Sequence, residues 1–153
     1  MVKQILTYPI NKDILTQKST EVLQEEIQTQ EIKDLIQDLK DTLLNTKSGC
    51  GISAVQIGVL KRICIIKYNN KLYTLINPKI TRQRGEKIFR EGCLSAPGIF
   101  VQVTRSQKVW CSYLDENGKE QEISEGGLCS IIIQHELDHF EGWCEVFNPL
   151  KED

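Results

Sequence analysis

The sequence predicts an α+β fold: antiparallel β-sheets around a central metal-binding helix, with one N-terminal helix covering the core. Three observations lead to this prediction: an amphipathic helical stripe in the first third of the chain, short strand-like segments in the middle, and an apolar helix with a His-Glu-x-x-His motif near the end. Strands that alternated with helices would instead favour a parallel sheet. At 153 residues the chain can bury one sizeable core, so we expect a single domain over residues 1–153.

The N-terminal helix is predicted from the spacing of its apolar residues. Residues 1–18 contain Pro9 and suggest an extended arm, and a helical pattern then runs from about Glu21 to Thr46, with Gly49 as its stop. Five apolar residues in this segment recur at i, i+3, i+4, i+7 and i+11, which is one face of a helix: Ile32, Leu35, Ile36, Leu39 and Leu43. We expect this helix to cover the core and to take no part in chemistry.

The middle of the chain, from Lys61 to Leu114, has the composition of short antiparallel strands. The isoleucine-rich segment 62–68 and the segment 71–76 flank Asn69-Asn70, which predicts a hairpin turn between them. Further strand segments are predicted at 77–85, 101–104, 108–114 and 119–124, with an Asn-Gly turn at 115–118.

Charge and composition exclude several classes of protein. Lys plus Arg number 19 and Asp plus Glu number 21, for a net charge of -2, so we expect no large basic face and no direct nucleic-acid binding. No apolar run approaches the roughly 18 residues that span a membrane, and the N-terminus lacks the apolar core of a signal peptide. We therefore expect a soluble intracellular protein. The six cysteines form no C-x-x-C pair, and we expect most of them to be buried small hydrophobes.

The segment Gln134–His139 carries the strongest chemical signal. His135 and His139 stand at i and i+4, so on a helix they lie on one face and can bind one divalent metal, while Glu136 can approach the metal without being a ligand. The apolar run 128–133 before them would bury this helix, which we expect to end near Gly142. A chance pair of histidines on a solvated helix is the alternative. Two histidines are also an incomplete site, because catalytic zinc-type sites usually have three protein ligands and a water.

The third ligand has two candidates. The first is Glu145, in an H-x-x-G-x-x-E extension like that of metzincin proteases, but such proteases need a methionine turn and Met1 is the only methionine. The second is Cys93, in a loop between strand segments, which would complete a Cys-plus-two-His set with one open position. A structural metal site in a non-catalytic binding module is a further alternative. Such sites usually have four protein ligands, and no fourth Cys or His stands at a useful spacing.

Three ordered motifs resemble those of the peptide deformylases. They are the segments Gly49-Cys50-Gly51-Ile52-Ser53-Ala54-Val55-Gln56, Glu91-Gly92-Cys93-Leu94-Ser95 and Gln134-His135-Glu136-Leu137-Asp138-His139. The resemblance extends from about Ile5 to Gly142. It implies a hydrolase that removes the N-terminal formyl group from formyl-methionyl nascent peptides, in a bacterial cytoplasm or that of a phage-infected host.

The resemblance also implies a role for each motif residue. Cys93, His135 and His139 would hold the metal, whose bound hydroxide attacks the formyl carbon while Glu136 acts as general base and then general acid. The Gln56 side chain and the Leu94 backbone N–H would donate hydrogen bonds to the oxygen that becomes negative. The metal implied is Fe²⁺, with Zn²⁺, Ni²⁺ or Co²⁺ able to replace it. The implied substrate-binding residues are Gly51, Cys50, Phe89, Leu128, Ile131 and Ile132.

Three departures from the family pattern are visible. Ser53 replaces the usual alanine, a small-for-small change that we expect to be harmless. Phe100 stands where many members have an arginine near the path of the peptide, so we expect different selectivity beyond the first substrate residue. Val146–Asp153 is too short for the C-terminal helix that docks many members on the ribosome. We therefore expect a protein that works near the ribosome without docking through that helix, and we also expect a monomer.

Overall fold

The computed structural model describes residues 1–147, and these residues form the predicted mixture of helices and antiparallel sheets. The α-helices are α1 (Lys12–Leu15), α2 (Gln30–Leu44) and α3 (Gly127–Phe140). The strands are β1 (Gly51–Ser53), β2 (Ile63–Tyr68), β3 (Lys71–Arg84), β4 (Lys87–Cys93), β5 (Ala96–Arg105), β6 (Lys108–Leu114) and β7 (Glu120–Gly126). Single 3₁₀ turns lie at Gln24–Glu26 and Ala54–Ile57. None of the helices described in residues 1–147 is long and apolar enough to cross a membrane.

Helix α2 has the predicted apolar face but begins later than predicted. Thr29 caps it, since its side chain accepts a hydrogen bond from the N–H of Ile32, and the preceding residues form a 3₁₀ turn instead of more helix. The predicted N-terminal arm is also not wholly extended, because it contains α1. The apolar stripe of α2 is buried against β1 and β2, as its spacing predicted: Ile32, Leu35, Ile36, Leu39 and Leu43.

The five-stranded sheet has the order β1-β2-β3-β6-β7, and every pairing in it is antiparallel. Asn69 and Asn70 join β2 to β3 with φ values of 51° and 60°, the two positive dihedrals of a type I′ hairpin turn. We predicted two strand segments across Asn77-Pro78, but β3 runs through them. An irregularity in the pairing with β6 and a positive φ at Asn77 accommodate the proline within one strand.

Helix α3 packs on the five-stranded sheet, and the β4–β5 hairpin forms a separate two-stranded sheet beside it. Buried side chains of α3 and of strands β2, β3 and β6 form one apolar cluster that includes Cys64, Ile66, Leu75, Ile133 and Phe140. This packing brings the end of β4, the turn after β1 and the middle of α3 to one place. These are the segments that carry the three sequence motifs.

Candidate active site

Four metal-ligating side chains converge where these segments meet. The ligand atoms of Cys93, His135, His139 and Cys144 all lie within 4.8 Å of one another, and the Cys93 Sγ is 3.4 Å from the His139 Nε2. The structure therefore brings together the three residues that the sequence predicted. It also adds Cys144, which contradicts the prediction that no fourth cysteine or histidine would be close enough.

The backbone explains why the three predicted donors meet. His135 and His139 lie on successive turns of α3, with ring centroids 5.1 Å apart in an edge-to-face arrangement. Cys93 is the last residue of β4, where the pairing with β5 shifts between Gly92 and Cys93. Cys93 still pairs with Ala96, so the irregularity changes the register just before the cysteine.

An ion-pair network contacts the His135 ring on its Nδ1 side. The His135 Nδ1 lies 2.9 Å from the Glu91 Oε1, which leaves the Nε2 of the same ring free to face the other donors. Arg105 donates two hydrogen bonds to Glu91, of 2.7 and 2.9 Å, and one of 2.7 Å to Asp138. Burial alone would raise the pKa of Glu91, but the hydrogen bonds from Arg105 and His135 lower it to about 2. Glu91 is therefore a carboxylate at neutral pH.

His139 has the properties of a neutral metal donor. It is fully buried, and its pKa is lowered well below the ordinary value, by burial first and then by the neighbouring His135 and Arg105. Its Nδ1 has no hydrogen-bond partner among residues 1–147. The Nε2 of the same ring is the nitrogen that faces Cys93, and a set of imidazole and thiolate donors suits a zinc or iron ion. The residues present therefore fit a divalent transition metal.

Glu136 is a buried carboxyl group beside this cluster of donors. Burial raises its pKa to about 6, although His135 and a hydrogen bond from Ser53 oppose the shift. The Ser53 hydroxyl lies 3.0 Å from the Glu136 Oε1 and 3.1 Å from the Glu136 carbonyl oxygen. A Cβ built on Gly51 would lie 2.6 Å from the Glu136 Oε2, so glycine leaves the room that this carboxyl group occupies. A carboxyl group with a pKa near 6 can both accept and deliver a proton near neutral pH.

Gln56 is held so that its amide nitrogen faces the metal-ligating residues. Its Oε1 accepts a hydrogen bond of 2.9 Å from the Ser53 N–H, and its Nε2 donates one of 3.0 Å to the Ser95 hydroxyl. The Nε2 also lies 3.7 Å from the Cys93 Sγ. Because the oxygen is already engaged, the donor end of the amide is the end presented to the site.

A cavity of about 380 Å³ opens onto these groups. Cys93, Glu136, Gln56 and Leu94 are among the residues that line it. The six residues predicted to bind substrate all line it: Gly51, Cys50, Phe89, Leu128, Ile131 and Ile132. Phe100 lies at the rim, 56 % exposed, with the Arg90 guanidinium 5.2 Å from the centre of its ring. The lining of the cavity is thus mainly apolar.

Sequence reasoning missed several residues of the site. Glu91 lies within the second motif, but the sequence predicted no role for it, and no local pattern marked Arg105. Ser53 was treated only as a change of size, although its hydroxyl contacts Glu136. Glu145, the alternative third ligand, lies outside the described group of donors, and its Oε1 accepts a hydrogen bond from the Trp143 indole.

The comparisons with known proteins agree with the predicted resemblance. The sequence profile of the polypeptide deformylase family matches residues 2–151. The peptide deformylase of Thermodesulfovibrio yellowstonii is 36% identical over 159 aligned positions, which cover 99% of this chain and 93% of the relative. That of Stenotrophomonas maltophilia (strain K279a) is 37% identical over 133 positions, covering 84% of this chain and 78% of the relative.

Solved structures give the same result. The peptide deformylase of Legionella pneumophila superposes with a TM-score of 0.88 at 35% identity, covering 99% of this chain and 89% of that one. The actinonin-bound class I type b enzyme of Acinetobacter baumannii superposes with a TM-score of 0.88 at 30% identity, covering 97% and 98%. The metzincin alternative is therefore wrong, and this chain belongs to the peptide deformylase family.

Proposed function

We propose that this chain performs the family's reaction with Cys93, His135 and His139 as metal donors and Glu136 as the proton carrier. The family's reaction is the metal-dependent hydrolysis of the N-terminal formyl group of nascent peptides. One observation carries the assignment of residues: a buried carboxyl group with a pKa of about 6 stands beside converging thiol and imidazole donors at the end of an apolar cavity. This arrangement combines a proton acceptor, a metal site and a binding pocket.

The metal, when bound, supplies a Lewis acid that makes water nucleophilic near neutral pH. Glu136 accepts the proton of the water that attacks the formyl carbon, and then delivers it to the amine nitrogen that leaves. The carbonyl oxygen gains negative charge during this attack. The Gln56 Nε2, fixed by the bonds to Ser53 and Ser95, and the backbone N–H of Leu94 donate hydrogen bonds to it.

The apolar part of the cavity receives the methionine side chain. We assign this role to Gly51, Cys50, Phe89, Leu128, Ile131 and Ile132. The Acinetobacter baumannii enzyme, 27% identical, has been solved with Met-Ala-Ser bound, a peptide that begins with the residue proposed here. The exposed ring of Phe100 lies where later residues of a bound peptide would leave the cavity, and it favours apolar side chains there.

Several finer assignments belong to the same proposal. The physiological metal is Fe²⁺, with Zn²⁺, Ni²⁺ or Co²⁺ as substitutes, because thiolate and imidazole donors accept all of these ions. The protein is a cytoplasmic monomer with a single catalytic domain over residues 1–153, and it acts close to the ribosome. Most of the predicted short C-terminal segment, Val146–Asp153, lies outside the described residues, so its part in docking stays a prediction.

Hydrolysis of formyl-Met-Ala-Ser, measured against metal content, tests the proposal. Protein stripped with a chelator should lose activity, and stepwise addition of Fe²⁺ or Ni²⁺ should restore it in proportion to bound metal, up to one ion per chain. Activity that did not depend on metal content would contradict the proposal. So would metal binding that was unchanged in a Cys93→Ala variant.

A further inference from the structure

Cys144 lies among the metal donors, although it belongs to none of the three family motifs. Its Sγ is within 4.8 Å of the Cys93 Sγ and of a ligand nitrogen on each of His135 and His139. The residue is 1% exposed. A sulfur enclosed together with three other metal-ligating atoms is the arrangement found in Cys₂His₂ sites.

The turn after α3 fixes Cys144 in this place. The Gly142 N–H donates to the His139 carbonyl and the Trp143 N–H to the Asp138 carbonyl, both at 3.1 Å, which reverses the chain at the end of the helix. Gly142 has a φ of +72°, and a Cβ there would lie 2.3 Å from the carbonyl oxygen of Thr16. The turn therefore requires glycine, and it brings Cys144 back towards the last turn of α3.

The Cys144 sulfur also accepts hydrogen bonds from the backbone. The N–H groups of Val146 and Phe147, two and three residues later, donate to it. The Cys93 sulfur likewise accepts a backbone hydrogen bond from Ser95, two residues later. These contacts orient both sulfurs within the group of donors.

Cys144 lies outside the lining of the cavity. Cys93, His135 and Glu136 line the cavity, whereas His139 and Cys144 do not. A bond from Cys144 to a metal would therefore leave the face towards the cavity available for the reaction.

We infer that Cys144 is a fourth metal donor, so that the centre of this protein is a Cys₂His₂ set that remains open towards the cavity. The inference rests on the proposed function, because it concerns the same ion. A second thiolate increases the affinity of the site for soft ions and favours zinc over metals that prefer oxygen ligands. It should also make the ion harder to remove with a chelator.

X-ray absorption of the zinc-loaded wild-type protein counts the sulfur ligands without any substitution. We expect two sulfur atoms per zinc at about 2.3 Å, the ordinary zinc–thiolate distance. A single sulfur in this shell would overturn the inference. This measurement does not depend on whether a variant folds.

Variants test the same point through affinity. We expect Cys144→Val to weaken zinc binding by at least about 10-fold in competition with a chromogenic chelator, the lower end for disturbing a metal environment. In the Co²⁺-loaded protein it should remove about half of the sulfur-to-metal charge-transfer absorption, because one of two thiolates is lost. Cys111→Val is the matched control, since Cys111 is as buried but not among the donors. Unchanged affinity and absorption in folded Cys144→Val would also overturn the inference.

The same experiments separate the two proposals. Suppose that the wild-type enzyme is active, that its zinc has one sulfur ligand, and that this ligand is absent in Cys93→Ala. This result would refute the role of Cys144 and would leave the proposed function standing. A protein that bound no metal, or bound it equally well in Cys93→Ala, would refute the proposed function itself.

Discussion

Helices α2 and α3 have nearly the same length, 15 and 14 residues, but they bury different kinds of side chain. Helix α2 buries one apolar face with a single buried threonine, and its other face is polar. Helix α3 buries His135, Glu136 and His139 as well as its isoleucines. Buried ionisable groups need partners, and those partners come from other segments. Helix α2 is thus held by its own apolar face, whereas α3 depends on distant residues. The residues proposed to carry the chemistry lie on α3.

The largest effect is expected from removing Arg105, the distant residue that supports the buried groups of α3. Changing Arg105→Met leaves the buried Glu91 and the partly exposed Asp138 without their cation, and breaking a buried ion pair typically costs about 3–5 kcal/mol. We expect a loss of that size in the free energy of unfolding, measured with denaturant. Metal affinity should also fall by roughly 10–100-fold, because Glu91 no longer fixes the His135 ring.

Arg82→Met is the control for this prediction. The Arg82 guanidinium lies 4.5 Å from the centre of the Trp110 ring, and Arg82 is exposed. Its loss should change stability by less than about 1 kcal/mol. Equal stability losses in the two variants would mean that the buried network has no special role.

The next largest loss of stability is expected from a core substitution in α2, and it should not change catalysis. Leu39 is fully buried, so Leu39→Ala should lower the free energy of unfolding by about 2–5 kcal/mol through lost burial and a cavity. The kcat of the folded enzyme and its metal content should not change. Leu44→Ala, on the same helix but 57% exposed, should cost less than about 0.5 kcal/mol. A fall in the kcat of folded Leu39→Ala would show that α2 contributes to catalysis after all.

The smallest effect is expected at Ser53. Its hydrogen bond to Glu136 favours the ionised carboxylate, so Ser53→Ala should raise the pKa of Glu136 further above about 6. Glu136 must be ionised to accept a proton. The acid limb of the kcat/KM profile, measured at constant metal content, should therefore move to higher pH.

Ser130→Ala is the matched control, because this buried serine of α3 donates to the Ser106 carbonyl. Its acid limb should stay where it is in the wild type. An acid limb that did not move in Ser53→Ala would show that the hydroxyl does not tune Glu136.

The contrast between the helices also explains which features could be predicted from sequence. The stripe of α2, the turn at Asn69-Asn70 and the spacing of His135 and His139 are local patterns, and the structure confirmed each of them. The predicted start of α2 was wrong, because capping by Thr29 decides it.

The partners of α3 could not be predicted in this way. Arg105 lies 14 positions from Glu91 and 33 from Asp138, and only the packing of β4, β5 and α3 brings the three together. Cys144 lies close in sequence, but the reversal at Gly142 determines that it returns to the donors. Ser53 was predicted to be a harmless replacement, because a sequence does not show what a hydroxyl contacts.

The central claim is that Glu136 carries a proton and does not hold the metal, and Glu136→Gln tests it most directly. The substitution keeps the shape of the side chain and removes the proton acceptor, so metal content and fold should be unchanged. Activity on formyl-Met-Ala-Ser should fall by roughly 10²–10⁴-fold. His135→Ala should instead lose metal and activity together. Loss of the metal in Glu136→Gln, or deformylation close to the wild-type rate, would contradict the account.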